Sequence, residues 1–521
     1  MKKNETGETG RTKKNIFKRQ TSAFWGKLFL LALFGSAASV SAQVPQQPIL
    51  APNQTSVQLT SAQFIGQGGL TVENLVELGQ SRRADLLAAR QRLAIAEGRL
   101  RQARLRPNPT LDTQYGSPRF LGGESESDFS AGVTQVFETG GKRSKRVAVA
   151  ELELSQIRAE VTRLERLLAA EIRQSYTNAI AAARQLDILE KLIAADEELV
   201  RVTEARLKEG DVAPLDTNLV RVESDRLKVQ AIQAKSELET QLLNLKNLTG
   251  ADVAESIKLA PQADKPPRLD LGLAELTDIA LRERGDLQAA RIGEQLGAAR
   301  IDLARAQAVP NVAASVRYSR NKLIFDFPPA VGGNFIKRDS NLTFGVSVEI
   351  PVFNRNQGEI ASATGERLQA TRTREFLETT IKRDVAVAYR KYRAASEALV
   401  LYSTQILPRA EANLQSVRAA YGLGEFSVFE VVGEQRRLTE NVTGYNQSLR
   451  DYYNALTELE TALGTTIPAS GFAPGATSVL PDSDVAPQQI NKENFLKSLQ
   501  TPIATEKKNP VETAAKTGKA N

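Results

Sequence analysis

In this 521-residue chain two carboxylates stand at matching places, Asp216 six positions after Gly210 and Glu430 six positions after Gly424. Carboxylates bind hard cations, and in suitable pairs they move protons. The groups that would widen that chemistry are missing. There is no Cys and no His, and the only Met and Trp are Met1 and Trp25. A structural zinc site, a thiol or imidazole nucleophile and a soft-metal site are therefore excluded by inventory. No phosphate-binding glycine loop precedes a helix. Acidic residues are spread along polar helices with no acid–base pair, so neither enzymatic activity nor a cofactor is expected. What remains for Asp216 and Glu430 is electrostatics, and that depends on the elements that hold them.

Those elements begin after a leader. Residues 1–42 open with basic residues, Lys2 to Lys27, followed by a short apolar run from Leu28 to Phe34 and a close on Val40-Ser41-Ala42. This is the pattern of a secretory signal peptide cleaved after Ala42, and the run is too short for a spanning helix, which needs about 20 apolar residues. With no Cys, an acyl anchor is not expected. The leader carries eight basic residues against Glu5 and Glu8, so residues 43–521 hold 60 basic and 59 acidic residues. That balance removes the support for a nucleic-acid partner.

The exported part is one unit written twice. Arg83-Ala84-Asp85-Leu86 recurs as Arg284-Gly285-Asp286-Leu287, and Pro109 recurs as Pro310; Gly210 matches Gly424, and Gly250 matches Gly464. Each copy predicts a helix, two strands, a long helix and a further helix. Between Lys142 and Glu209 there is no Gly or Pro, and Ala150, Leu154, Ile157, Val161, Leu164, Leu168 and Ile172 form a heptad seam. At about 1.5 Å per residue this helix would run roughly 100 Å. Its partner spans Leu215 to Leu248 and stops at Gly250. The second copy predicts helices over Arg367 to Leu407, with a kink or break at Pro408, and over Phe426 to Leu463. From the helices alone, a non-channel periplasmic coiled-coil scaffold is as good a reading as a channel.

The strands discriminate. Thr110 to Tyr115, Ser127 to Phe137, Val312 to Tyr318 and Leu342 to Ile350 alternate with period two, and polar, Gly-rich loops separate each pair, Gly116 to Glu126 and roughly Asn321 to Ser340. Four strands cannot close a transmembrane barrel, since about eight is the smallest number known, and open edges are not tolerated in hydrocarbon. Several copies must share one barrel, and three would supply twelve strands.

Arg106-Pro107-Asn108-Pro109, Pro351-Val352-Phe353-Asn354, Gly210 to Asp216, and Tyr421-Gly422-Leu423-Gly424 to Glu430 together resemble the TolC outer-membrane efflux family over about residues 70 to 465. Within it, Phe137 to Arg143 and Phe353 to Glu359 look like the Czc-type heavy-metal branch. The resemblance implies a mainly α fold of long coiled-coil helices, with four strands per protomer completing a 12-stranded trimeric barrel in the outer membrane above an α-helical periplasmic tunnel. The efflux repeats then cover 70–250 and 274–464, joined by a linker at 251–273; outside them the residues read as the signal peptide at 1–42, an extended N-terminal arm at 43–69, and a tail at 465–521 that is rich in Pro, Ala, Thr and Lys, lacks periodicity and is expected to be disordered.

The implied function is passive export, of heavy-metal cations above all, with a periplasmic adaptor and an inner-membrane RND-type pump as partners besides outer-membrane lipid; multidrug or type I secretion channels share the fold. The resemblance places Glu430, Asp216 and Tyr421 at the pore constriction and its lock, and Gly210, Val212, Gly424 and Phe426 at the adaptor-contacting tips. By three-fold symmetry each carboxylate would form a ring that favours cations. The chain departs from the pattern at Phe426, where a family member carries a basic lock residue, and at Gly433, which replaces a second constriction carboxylate, with Glu434 one place later.

Overall fold

A computed structural model describes residues 61–118, 126–262, 266, 268–325 and 327–467. The expected signal peptide, the arm up to residue 60 and the tail from residue 468 lie outside the described residues. In chain order the elements are β1 (Ile65–Leu70), α1 (Val72–Arg82), α2 (Ala84–Ala103), β2 (Thr110–Gly116), β3 (Ser127–Phe137), α3 (Lys142–Glu209) and α4 (Pro214–Thr249). The second copy follows as α5 (Leu273–Glu283), α6 (Gly285–Gln307), β4 (Val312–Phe325), β5 (Phe335–Val348), α7 (Gln357–Leu401), α8 (Leu407–Gly422) and α9 (Val428–Leu463). The fold is mainly α.

Helix α3 is a single 68-residue rod. Of its heptad seam, Ala150, Val161, Leu168 and Ile172 are buried, while Leu164 is exposed. Further along, Ile180, Leu186, Leu189 and Leu192 pack against Leu227, Leu238 and Leu245 of α4 and Leu438 of α9. Each fully buried Leu or Ile contributes roughly 1.5–3 kcal/mol relative to exposure, so the seam fixes the helix pairing. A second core gathers Ile381, Val385, Tyr392 and Leu399 of α7 with Leu449, Tyr452 and Leu459 of α9. At its centre the Tyr392 and Tyr452 hydroxyls hydrogen-bond at 3.0 Å.

At Pro408, where the sequence predicts a kink or break, the helix is distorted but not interrupted. Proline lacks the N–H that would bond back to residue 404 and crowds that carbonyl; the chain absorbs this with a five-residue π-turn, Tyr402–Ile406, and the helix continues as α8. The Ser403 and Thr404 hydroxyls donate to the Val400 carbonyl beside the widened turn. Tyr402 packs over Gly444 of α9, where an added Cβ would lie 2.6 Å from the tyrosine oxygen.

Strands β2, β3, β4 and β5 form one antiparallel sheet in that order, so the central β3–β4 pair joins the two copies. Strands β4 and β5 are longer than the alternation predicts, the ladder running out to the Phe325–Phe335 pair through polar rungs such as Arg320–Ser340 and Lys322–Arg338. Backbone pairing needs no apolar side chains where the flanking groups stay solvated, so the period-two signal stops before the strands do. The two faces differ. The rung Leu111–Val133–Val316–Phe344 is apolar throughout, and Leu111 and Phe344 are each 73 % exposed. One residue further along, Asp112, Gly132, Arg317 and Thr343 stand on the opposite face. Gly132 has no side chain, and Arg317 reaches across it to Asp112 at 3.2 Å and to Ser130 at 3.1 Å. Both edges, β2 and β5, lack a partner strand among the described residues. No described helix is long and apolar enough to cross a membrane.

Candidate functional site at the helical tips

Helices α3 and α8 end far from the sheet in the same closure. Gly210 takes φ +82° and Gly424 takes φ +78°, a left-handed conformation that costs glycine little. The Asp211 N–H returns to the Arg206 carbonyl at 2.9 Å, and the Glu425 N–H returns to the Ala420 carbonyl at 3.0 Å. Each closure satisfies carbonyls that a helix end leaves open. The following helices start with matching devices. Pro214 opens α4, where its missing N–H costs nothing, and Asp216 Oδ2 accepts the Ala213 N–H at 3.3 Å. In α9, Glu430 Oε2 accepts the Ser427 N–H at 3.0 Å as well as the Ser427 hydroxyl. These hydrogen bonds, the Ser427 side chain's first, hold the exposed Glu430 carboxyl below its ordinary value. Asp216 and Glu430 thus occupy equivalent third positions of two helices, at the end where the helix dipole favours an acidic residue.

Val212 and Phe426 sit in the two reversals, with Phe426 exposed. Tyr421 points inward: its ring is buried with Leu199 of α3, Val220 of α4 and Val428, Val431 and Val432 of α9. The Arg206 guanidinium lies 5.1 Å from the ring centre, a distance at which a cation and an aromatic face attract. Its hydroxyl is buried without a hydrogen bond. Glu434 is ion-paired with Arg437 on the same helix.

The structure also brings together groups that the sequence reading passed over. Leu215 and Leu423 are exposed apolar residues at the tips, beside Phe429. Behind the tips, Gln435 of α9 donates to Asp196 of α3, and the next residue, Arg436, donates to Glu223 of α4 at 2.6 Å. Asp196 is 2 % exposed. Burial raises its carboxyl to about 7; Gln435 and the Arg418 charge pull it down, and Glu223 pushes it up. The signal was present, since Asp196 takes a seam position in the run Leu189, Leu192, Asp196, Leu199, Thr203.

The family described as "Outer membrane efflux protein" matches residues 75–251 and 276–465. The cobalt-zinc-cadmium resistance protein CzcC of Cupriavidus metallidurans is 24 % identical over 408 residues, covering 76 % of this chain and 90 % of that protein. The nickel and cobalt resistance protein CnrC of the same organism is 27 % identical over 312 residues, 58 % of this chain and 68 % of that one. Among solved structures, CusC, described in terms of folding and transmembrane channel formation, superposes with a TM-score of 0.63 at 21 % identity, covering 76 % of this chain and 92 % of that chain. Both halves of the family profile fall on the two helix–strand–helix units described above, and this chain therefore belongs to the outer membrane efflux protein family.

Proposed function

We propose that three copies of this chain assemble as the outer-membrane duct of a tripartite efflux system that exports heavy-metal cations, powered by an inner-membrane RND-type pump and coupled to it by a periplasmic adaptor. The observation that carries the duct is the four-stranded sheet, with one exposed apolar face, one face holding Asp112 and Arg317, and two unpaired edges. Edge-to-edge joining of three such sheets gives twelve strands with lipid outside and water inside. Below them the α3–α4 and α8–α9 hairpins form the wall of a tunnel. Its tips, with Gly210, Val212, Gly424, Phe426 and the exposed Leu215 and Leu423, meet the adaptor, while Asp216 and Glu430 form the cation-selective rings. Tyr421 acts as a lock by packing, tying α8 to α3 beneath the reversal.

The names of CzcC and CnrC support metal cations as cargo. Residues 43–521 contain no His, Cys or Met, so the duct carries none of the strong ligands that would retain such ions. Deleting the gene is expected to lower tolerance to cobalt, zinc, cadmium, nickel or copper and to raise the cellular content of the same metal. Sensitivity to antibiotics or detergents, with every metal tolerance and content at the parental level, would assign the duct to drugs instead.

A further inference from the structure

The charge of the exported chain is balanced as a whole but not where the helices meet the sheet. Four segments form this junction: residues 99–107 at the end of α2, 138–146 at the start of α3, 305–311 at the end of α6, and 349–359 at the start of α7. They hold ten Lys and Arg against Glu138, Glu349 and Glu359. Some of these charges are spoken for: Arg146 pairs with Glu138, Arg104 with Glu151, and Lys145 with Asp302. Arg99, Arg101, Arg106, Arg305 and Arg355 are exposed, and their guanidinium groups have no side-chain partner among the described residues.

The apolar face of the sheet ends at this collar. Ile350 continues the parity of Phe344, Val346 and Val348 and is 78 % exposed, and Phe353 three residues on is 92 % exposed. Apolar and aromatic side chains bordered by long cationic ones match the layer where acyl chains give way to headgroups. Strand β3, with 11 residues, has the length of a tilted strand crossing the hydrocarbon core, about 9–11 residues.

We infer that this arginine collar is a binding surface for anionic phospholipid headgroups in the leaflet facing the helices, holding the barrel at a fixed depth. The proposal rests on the membrane-spanning reading of the sheet. Three protomers would multiply the five unpartnered arginines around one rim, and guanidinium groups take phosphate oxygens two at a time. Each basic side chain near an anionic surface adds to binding, an effect that fades within a Debye length in salt.

The test uses the purified oligomer of the processed chain, residues 43–521, reconstituted into vesicles. Because residues 43–521 contain no Trp, Ile350→Trp supplies a single reporter, quenched by brominated phosphatidylglycerol or brominated phosphatidylcholine mixed into unlabelled phosphatidylcholine. Quenching by the glycerol lipid is expected to indicate at least about threefold tighter binding than the choline lipid at low salt, the ratio approaching one at high salt. Replacing Arg99, Arg101, Arg106, Arg305 and Arg355 by Gln should abolish the preference, while Lys at the same positions should keep most of it; the Lys set guards against loss through misfolding. Equal quenching by both lipids at low salt, or a preference that survives the Gln set, overturns the proposal. So does retained lipid preference with loss of capture by peptidoglycan or the adaptor, which would make the collar a polymer or protein surface. Failure of the protein to enter vesicles at all overturns the channel reading first, and so separates the two.

Discussion

Glu430 has a local task and a proposed collective one. Locally it closes the start of α9 by accepting both donors of Ser427, which orients the carboxylate and keeps it ionised. Collectively, three such groups around one axis attract cations. Glu430→Gln retains an acceptor for the cap but removes the charge, so planar-bilayer currents should lose much of their cation selectivity and their block by multivalent cations, with the oligomer intact. Selectivity and block equal to those of the parent protein would move Glu430 off the pore axis. Asp196 makes a separate, pH-dependent contribution. Its carboxyl is raised from the ordinary 3.8 to about 7 by burial, so the folded state favours its neutral form. The stabilisation is complete below about pH 4 and is lost as pH rises through about 7, at a slope of up to about 1.4 kcal/mol per pH unit. Gln435, Glu223 and Arg418 act on this carboxyl and Arg436 engages Glu223, so the loss falls on the contacts of α3 and α4 with α9. Asp196→Asn should flatten the fall in melting temperature between pH 5 and pH 8; parallel curves for variant and parent would refute this.

The two kinds of element differ in how far the sequence discloses them. The heptad seam specifies α3 to its ends, because apolar spacing, the absence of Gly and Pro, and the closing Gly210 all agree. The strands are legible only where one face is apolar, so the outer rungs of β4 and β5 escape. Pro408 marks where the helix is distorted, but the choice between kink and break lies in the preceding turn, which widens while the Ser403 and Thr404 hydroxyls provide local hydrogen bonds there. The tips are legible as turns, from Gly210 and Gly424, whereas their carboxylates are singled out only by the family resemblance, because the same Gly-to-acid spacing recurs at Gly79 and Asp85 and at Gly272 and Asp278. The inward course of Tyr421 is not, since its burial comes from residues on α3, α4 and α9 that meet only in the folded chain. The same holds for the Asp196–Gln435 pair, whose members are 239 positions apart.

At the scale of the whole molecule, the sheet is open, with an unpaired strand at each side among the described residues. Its ends, β2 and β5, are the first and last strands of a consecutive order, so β5 of one copy is free to pair with β2 of the next and a closed ring is the arrangement that leaves no edge. The detergent-extracted complex is expected to have three times the mass of the processed chain and to migrate faster on gels unheated than after boiling. A protein that stays monomeric and soluble without detergent would rule out a shared barrel.

The open sheet also bears on the kinetics of the proposed assembly. A single copy carries a full-length unpaired strand at each side and an apolar face turned to water, which is a template for unwanted pairing as much as for the correct one. Closure by three copies, as proposed above, would consume three chains, so its rate would rise steeply with their concentration, whereas capture of one edge by a foreign strand needs only a single encounter. Slow synthesis therefore favours the wrong product unless something shields β2 and β5 in transit, and the yield of closed complexes should depend on how many chains are exported together more than on the stability of any one of them.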